Sequence, residues 1–175
     1  TAYTDRGIYI LTWGPDSPPQ LLVELTRSDD PKPEGALRAE ENTIYLPSAP
    51  QGTDPWLWEM LFQGYPSEPF SFDLPDVQLE ALGEALVPVT IRLLGGTDDR
   101  HQVEASINGE PVGTLTFQGT GPASLVGRIR ASSLRAAGNQ LSLSYATLDG
   151  SPDAGLAYQN YVDLGVPAGQ PSTVI

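Results

Sequence analysis

A chain of 175 residues with 18 Gly, 17 Pro and 39% hydrophobic residues reads as one globular, turn-rich domain. Nine basic against 22 acidic residues give a formal charge of -13, which argues against a nucleic-acid surface and against docking on anionic lipid. Cysteine is absent and His101 is the sole histidine, so disulfides, thiolate metal sites, Cys nucleophiles and multi-His metal centres are excluded.

Gly7 to Trp13 is aromatic and β-branched and reads as a strand stopped by Gly14-Pro15. Gln20 to Thr26 and Asn42 to Leu46 are further strands, separated by a polar run from Ser28 to Gly35 that is a candidate hinge. Pro50 to Pro55 must be loop. Trp56 to Phe62, WLWEMLF, reads as one short helix, with Asp54 as N-cap and Pro55 at the first position. Phe70 to Leu74 alternates as a strand, and Val77 to Leu86 is a short helix or an irregular crossing.

The second half is more regular. Val89 to Leu94 is a strand ended by Gly95-Gly96. His101 to Ile107 alternates, with Val103, Ala105 and Ile107 on one face. Asn108-Gly109 is a hairpin signal, because both residues tolerate positive φ, and Val112 to Phe117 is the partner strand. Leu125 to Ile129 is another strand, and Arg128 and Arg130 share its solvent face. Ser132 to Ala137 fits one or two helical turns closed by Gly138. Leu141, Leu143 and Tyr145 mark one face of the next strand, and Tyr158 to Leu164 is the last. Nine or ten short strands with turns between them predict an all-β, antiparallel β-sandwich, jelly-roll-like, with one or two short helices.

Residues 1–166 form the expected sandwich domain and 167–175 a tail or linker, the stretch from Gly165 to Thr173 being turn-rich. Starting at Thr1 rather than Met, the chain reads as a fragment of a longer protein or a processed one.

Few residues of the chain carry a pattern that points to catalysis. No G-x-S-x-G elbow surrounds a serine. His101 lies beside Asp98 and Asp99; it reads as a strand-edge histidine, or as a general base oriented by Asp99 that lacks a nameable nucleophile. No carboxylate pair stands out for glycoside hydrolysis. No catalytic residue and no cofactor is assigned. Asp29-Asp30, Asp98-Asp99 and Asp149 with Asp153 fall in loops where oxygens can gather around a structural calcium, or simply solubilise the surface. Trp56, Trp58, Phe62 and Tyr65 crowd into ten residues. They serve core or interdomain packing, or form a flat platform for sugar rings; Trp56, Trp58 and Tyr65 are the candidate binding residues.

Several segments resemble, in order, the non-catalytic β-sandwich domain of gingipain-like secreted cysteine peptidases. They are YTDRGIYILTWG from Tyr3 to Gly14, DPWLWEML from Asp54 to Leu61, the hairpin from His101 to Gly119, LRAAGNQLSL from Leu134 to Leu143, and AYQNYVDLGV from Ala157 to Val166. The resemblance implies a non-catalytic accessory domain of a larger extracellular or cell-surface bacterial protein, working by interdomain or protein–protein contact, its peptidase part lying elsewhere. Its partners would be neighbouring domains, with a protein or glycan ligand beside them. The alternative is a carbohydrate-binding module, which requires exposed aromatics with polar groups next to them.

Overall fold

The computed structural model describes residues 36–65, 67–74, 77, 79–148 and 155–166, and the strand segments Gly7–Leu11 and Leu21–Leu25. Those two segments, β1 and β2, pair antiparallel. The strands that follow are β3 (Leu37–Glu40), β4 (Ile44–Tyr45), β5 (Trp56–Leu57), β6 (Glu59–Phe62) and β7 (Phe70–Phe72). A single helical turn, α1 (Leu79–Leu82), leads into β8 (Leu86–Gly95), β9 (Arg100–Ile107), β10 (Glu110–Gln118), β11 (Pro122–Arg130), β12 (Asn139–Thr147) and β13 (Leu156–Leu164). No helix among the described residues is long and apolar enough to cross a membrane.

Two antiparallel sheets face each other, giving the expected jelly-roll-like β-sandwich. One has the order β10-β9-β12-β7; the other has β11-β8-β13-β3, with β6 also paired to β13. Alternation explains the core. Val103, Ala105 and Ile107 of β9 are buried, as are Leu141, Leu143 and Tyr145 of β12, while Glu104 and Ser144 are exposed. Opposite them lie Val87, Val89, Ile91 and Leu93 of β8 with Leu125 and Ile129 of β11. Each such aliphatic side chain stabilises the fold by about 1.5–3 kcal/mol on burial.

The Asn-Gly hairpin forms as expected, with φ of 52° at Asn108 and 82° at Gly109. Asn108 does more than turn the chain: its amide also donates to the Ser133 carbonyl (2.7 Å) and to Asn139 Oδ1 (2.9 Å). Gly95 is required by close approach, since a Cβ there would strike the Gly119 carbonyl.

A bulge in β13 decides which residues face outward. Gln159 pairs with Leu93 and Val162 with Ile91, so Asn160 and Tyr161 together stand against Arg92. Ala157, Val162 and Leu164 therefore all reach the core, while Tyr158 joins a second cluster with Leu57 and Leu94 on the outer face. Gln159 is fully buried and neither of its amide atoms has a partner.

Three expectations need correction. Trp56 to Phe62 is not a helix but β5, a bend and β6. Asp54 does cap, accepting the Trp56 N–H at 2.9 Å, but the next groups bond sideways: Leu57 O accepts from Thr43 N, and Trp58 N donates to Gln159 O. A seven-residue helix is marginal alone, whereas β13 offers an edge that suits aromatic residues. The helical turn after β11 covers only Ala131–Ser133, and Gly138, with φ of 67°, ends a turn before β12 rather than a helix. Strand β3 lies in a stretch given no element by its sequence pattern. The expected tail at 167–175, the hinge run at 28–35 and the acidic pairs Asp29-Asp30 and Asp149 with Asp153 lie outside the described residues.

Candidate functional site

The β4–β5 pair lies over the outer face of the five-stranded sheet, and its register sorts four side chains. Ile44 pairs with Leu57 and Tyr45 with Trp56. Leu57 is fully buried in the outer cluster, and Ile44 packs against it. Alternation then sends Tyr45 and Trp56 to solvent, 50% and 36% exposed, with ring centroids 4.9 Å apart and planes tilted by 48°. The loop between them, residues 46–55, is held shut by Leu46 N donating to Pro55 O at 2.8 Å.

Further large side chains line β6. Met60 pairs with Tyr158 and Phe62 with Leu156, so both face outward. Met60 is 39% exposed; Tyr65, just beyond the strand, is 74% exposed and meets Phe62 edge-on at 6.5 Å. Four of the exposed large hydrophobics of the described residues, Tyr45, Trp56, Met60 and Tyr65, thus fall in one segment along a sheet edge.

The three residues expected to bind therefore part company. Trp56 and Tyr65 are exposed, at opposite ends of β6. Trp58 is core: it is 7% exposed and packs edge-on against Phe70 at 5.2 Å. The bend at residue 58 turns it inward, where the gap between β6 and β7 takes its ring. Tyr45, which sequence reasoning missed, is the actual neighbour of Trp56. The signal was present in the strand from Asn42 to Leu46, whose apolar Ile44 and Leu46 leave Tyr45 on the other face.

Carboxylates border this segment. Glu59 is half-buried beside Trp58, and burial first, then the charge of Glu68, hold its carboxyl above the usual range. No group of three or more His, Asp or Glu among the described residues is arranged to hold a metal ion. Asp98 and Asp99 occupy the β8–β9 turn.

His101 is a structural hub. It is fully buried; Nε2 lies 3.1 Å from the Thr97 carbonyl and 3.2 Å from the Gly119 carbonyl. Carbonyls only accept, so Nε2 carries the proton of the neutral ring and Nδ1 accepts from the Tyr145 hydroxyl at 2.7 Å. Phe117 lies against the ring at 4.7 Å. The imidazole ties the β8–β9 turn to the β10–β11 turn, and the reading as a general base oriented by Asp99 is withdrawn. On the other sheet, a shallow depression of about 320 Å³ is lined by both polar and apolar residues, among them Glu104, Ser106, Pro111, Thr114 and Leu143, with no aromatic ring.

No family model matches the chain, and no curated protein matches it by sequence. Among solved structures it is similar to carbohydrate-binding modules. One is a family 36 module of a multidomain xylanase from the hindgut metagenome of Trinervitermes trinervoides: 18% identity, TM-score 0.45, covering 74% of this chain and 96% of that one. Another is a family 36 module in complex with calcium and xylotriose: 15% identity, TM-score 0.41, covering 73% and 98%. A third is the C-terminal family 6 module of a marine laminarinase from Zobellia galactanivorans: 12% identity, TM-score 0.35, covering 74% and 98%. These neighbours correct the gingipain-like, peptidase-associated reading and the interdomain role attached to it. The segments that suggested it have structural causes. Asn108 and Gly109 make a turn, and Asn139 is a fully buried amide bonded to Asn108, Arg135 and Phe72.

Proposed function

We propose that this domain is a non-catalytic carbohydrate-binding module that holds an extended polysaccharide on the aromatic segment from Tyr45 to Tyr65. The observation that carries the reading is the Tyr45–Trp56 pair. A small sandwich with an ample core leaves two adjacent aromatic rings in water, on a flap whose apolar side is otherwise buried. Sugar rings present C–H groups that pack on such π faces, and aromatics contribute large area with few rotamers to freeze. Tyr65, at the far end of β6, supplies a second stacking point.

A non-catalytic role agrees with a buried His101 whose ring nitrogens are both engaged within the fold. A polysaccharide ligand is met outside the cell or at its surface, where this reading locates the domain. A structural calcium is part of the proposal; it rests on Asp98 and Asp99 and on acidic pairs that lie outside the described residues.

Titrating the folded protein with soluble polysaccharides, followed by tryptophan fluorescence and by retardation in polysaccharide-containing gels, tests the reading. Saturable binding that perturbs tryptophan emission supports it. Absence of binding across a broad panel of plant, algal and bacterial polysaccharides overturns it.

A further inference from the structure

The charge distribution around the aromatic segment narrows its ligand. Between Arg38 and Arg92 the sequence contains no Lys, Arg or His, yet it holds nine Asp or Glu. Five of these, Glu40, Glu41, Asp54, Glu59 and Glu68, fall between residues 40 and 68, the stretch that carries the aromatics. Glu41 and Glu68 are exposed, and burial first, then the nearby charge of Glu68, raises the Glu59 carboxyl.

The guanidiniums of this sheet are either matched in place or set at the far edge. Arg38, on β3 farther along the same edge of β13, grips Asp163 with two 2.8 Å hydrogen bonds, so its charge is matched on the spot. Arg92 donates to Ser124 at 2.9 Å, and Arg128 and Arg130 are exposed on β11, the opposite edge of the sheet from β6. One edge of the sheet is aromatic and anionic; the other carries Arg128 and Arg130, the latter paired with Glu110 at 3.4 Å.

We infer that the aromatic segment selects an uncharged polysaccharide and rejects uronate-bearing or sulfated chains. This rests on the polysaccharide reading above and adds its charge class. An anionic polymer laid along this edge meets the exposed Glu41 and Glu68 and, among the described residues, no unmatched cation. Each like charge within several ångströms opposes binding by about 1 kcal/mol or more in a partly exposed site. A neutral chain meets carboxylates as hydrogen-bond acceptors for its hydroxyls, and charge-assisted hydrogen bonds of that kind are the stronger ones.

The test compares neutral polymers (xylan, mixed-linkage β-glucan, galactomannan) with acidic ones (polygalacturonate, alginate, heparin). Binding is measured in EDTA, to remove cation bridging, at low and high ionic strength. The inference expects a neutral polymer to bind with an affinity that salt does not move. It expects every acidic polymer to bind at least about tenfold more weakly at low salt. It expects the double variant Glu41→Lys, Glu68→Lys to gain affinity for polygalacturonate. An acidic polymer that binds as tightly as any neutral one overturns the charge class while leaving polysaccharide binding intact. Binding of none by the folded protein overturns both.

Discussion

The hydroxyl of Tyr145 donates a 2.7 Å hydrogen bond to Nδ1 of His101 across two neighbouring strands of one sheet, inside the core. Both residues sit on the inner face, so the bond is shielded from water and holds the ring whose Nε2 ties two turns together. Tyr145→Phe leaves a buried acceptor unpaired and is expected to cost about 1–3 kcal/mol in urea unfolding. His101→Leu is expected to cost at least as much, because it also orphans the contacts to Thr97 and Gly119. Wild-type stability in either variant contradicts the hub.

The same tyrosine gives an alkaline signature. Burial, and then the charge of Asp99, push the Tyr145 phenol up to about 12 from an ordinary 10.0. The folded state therefore holds this proton more tightly than the unfolded state. Its contribution is intact below pH 10 and lost as pH rises toward 12. Stability measured across that window should fall more steeply for the wild type than for Tyr145→Phe.

Arg38 and Asp163 stand directly opposite each other in the β3–β13 register, and the Arg38 guanidinium also lies 3.6 Å from the Tyr161 ring centroid. With side chains only 18% and 5% exposed, the pair is mostly out of water. Removing one partner of such a pair costs about 3–5 kcal/mol. Arg38→Ala should reach that range. Arg38→Lys should recover only part of it, since an ammonium cannot reproduce the two-pronged geometry. A thermal melt of Arg38→Lys that matches the wild type contradicts the role of the fork.

Gln159 predicts a stabilising change. Its amide is fully buried between Leu93 and Glu59 in the strand register and bonds to nothing. Gln159→Met keeps the shape and removes the desolvated amide, so the melting temperature should rise, by an amount equivalent to about 1–3 kcal/mol. A lower melting temperature means that the amide has a partner, such as a buried water.

The sheets were readable in the sequence because their cause is local. Alternation in His101 to Ile107, and Asn108-Gly109, dictated faces and a turn without reference to distant residues. Other features were not readable, most of them because their causes lie far along the chain. Strand β3 exists because β13 offers an edge, and Leu37 and Ala39 then pack on the core. Trp56 to Phe62 is extended because Gln159 takes the Trp58 N–H. The exposure of Trp56 and burial of Trp58 follow from that bend, so their spacing alone could not separate a binding ring from a core ring. The β13 bulge, which sends Tyr161 and Asp163 outward, has no marker such as Gly at its position.

Trp56 and Trp58 thus make opposite predictions two residues apart. Trp58→Ala opens a cavity beside Phe70 and should cost about 3–5 kcal/mol of stability. Trp56→Ala should leave the melt close to wild type, since its ring already stands partly in water.

The most direct measurement is the affinity of folded Trp56→Ala for the polysaccharide that the wild type binds. The expected result is unchanged unfolding with affinity reduced at least about tenfold, equivalent to about 1.4 kcal/mol, and a similar loss for Tyr45→Ala. Binding by Trp56→Ala as tight as that of the wild type contradicts the assignment of the Tyr45–Trp56 pair as the ligand platform.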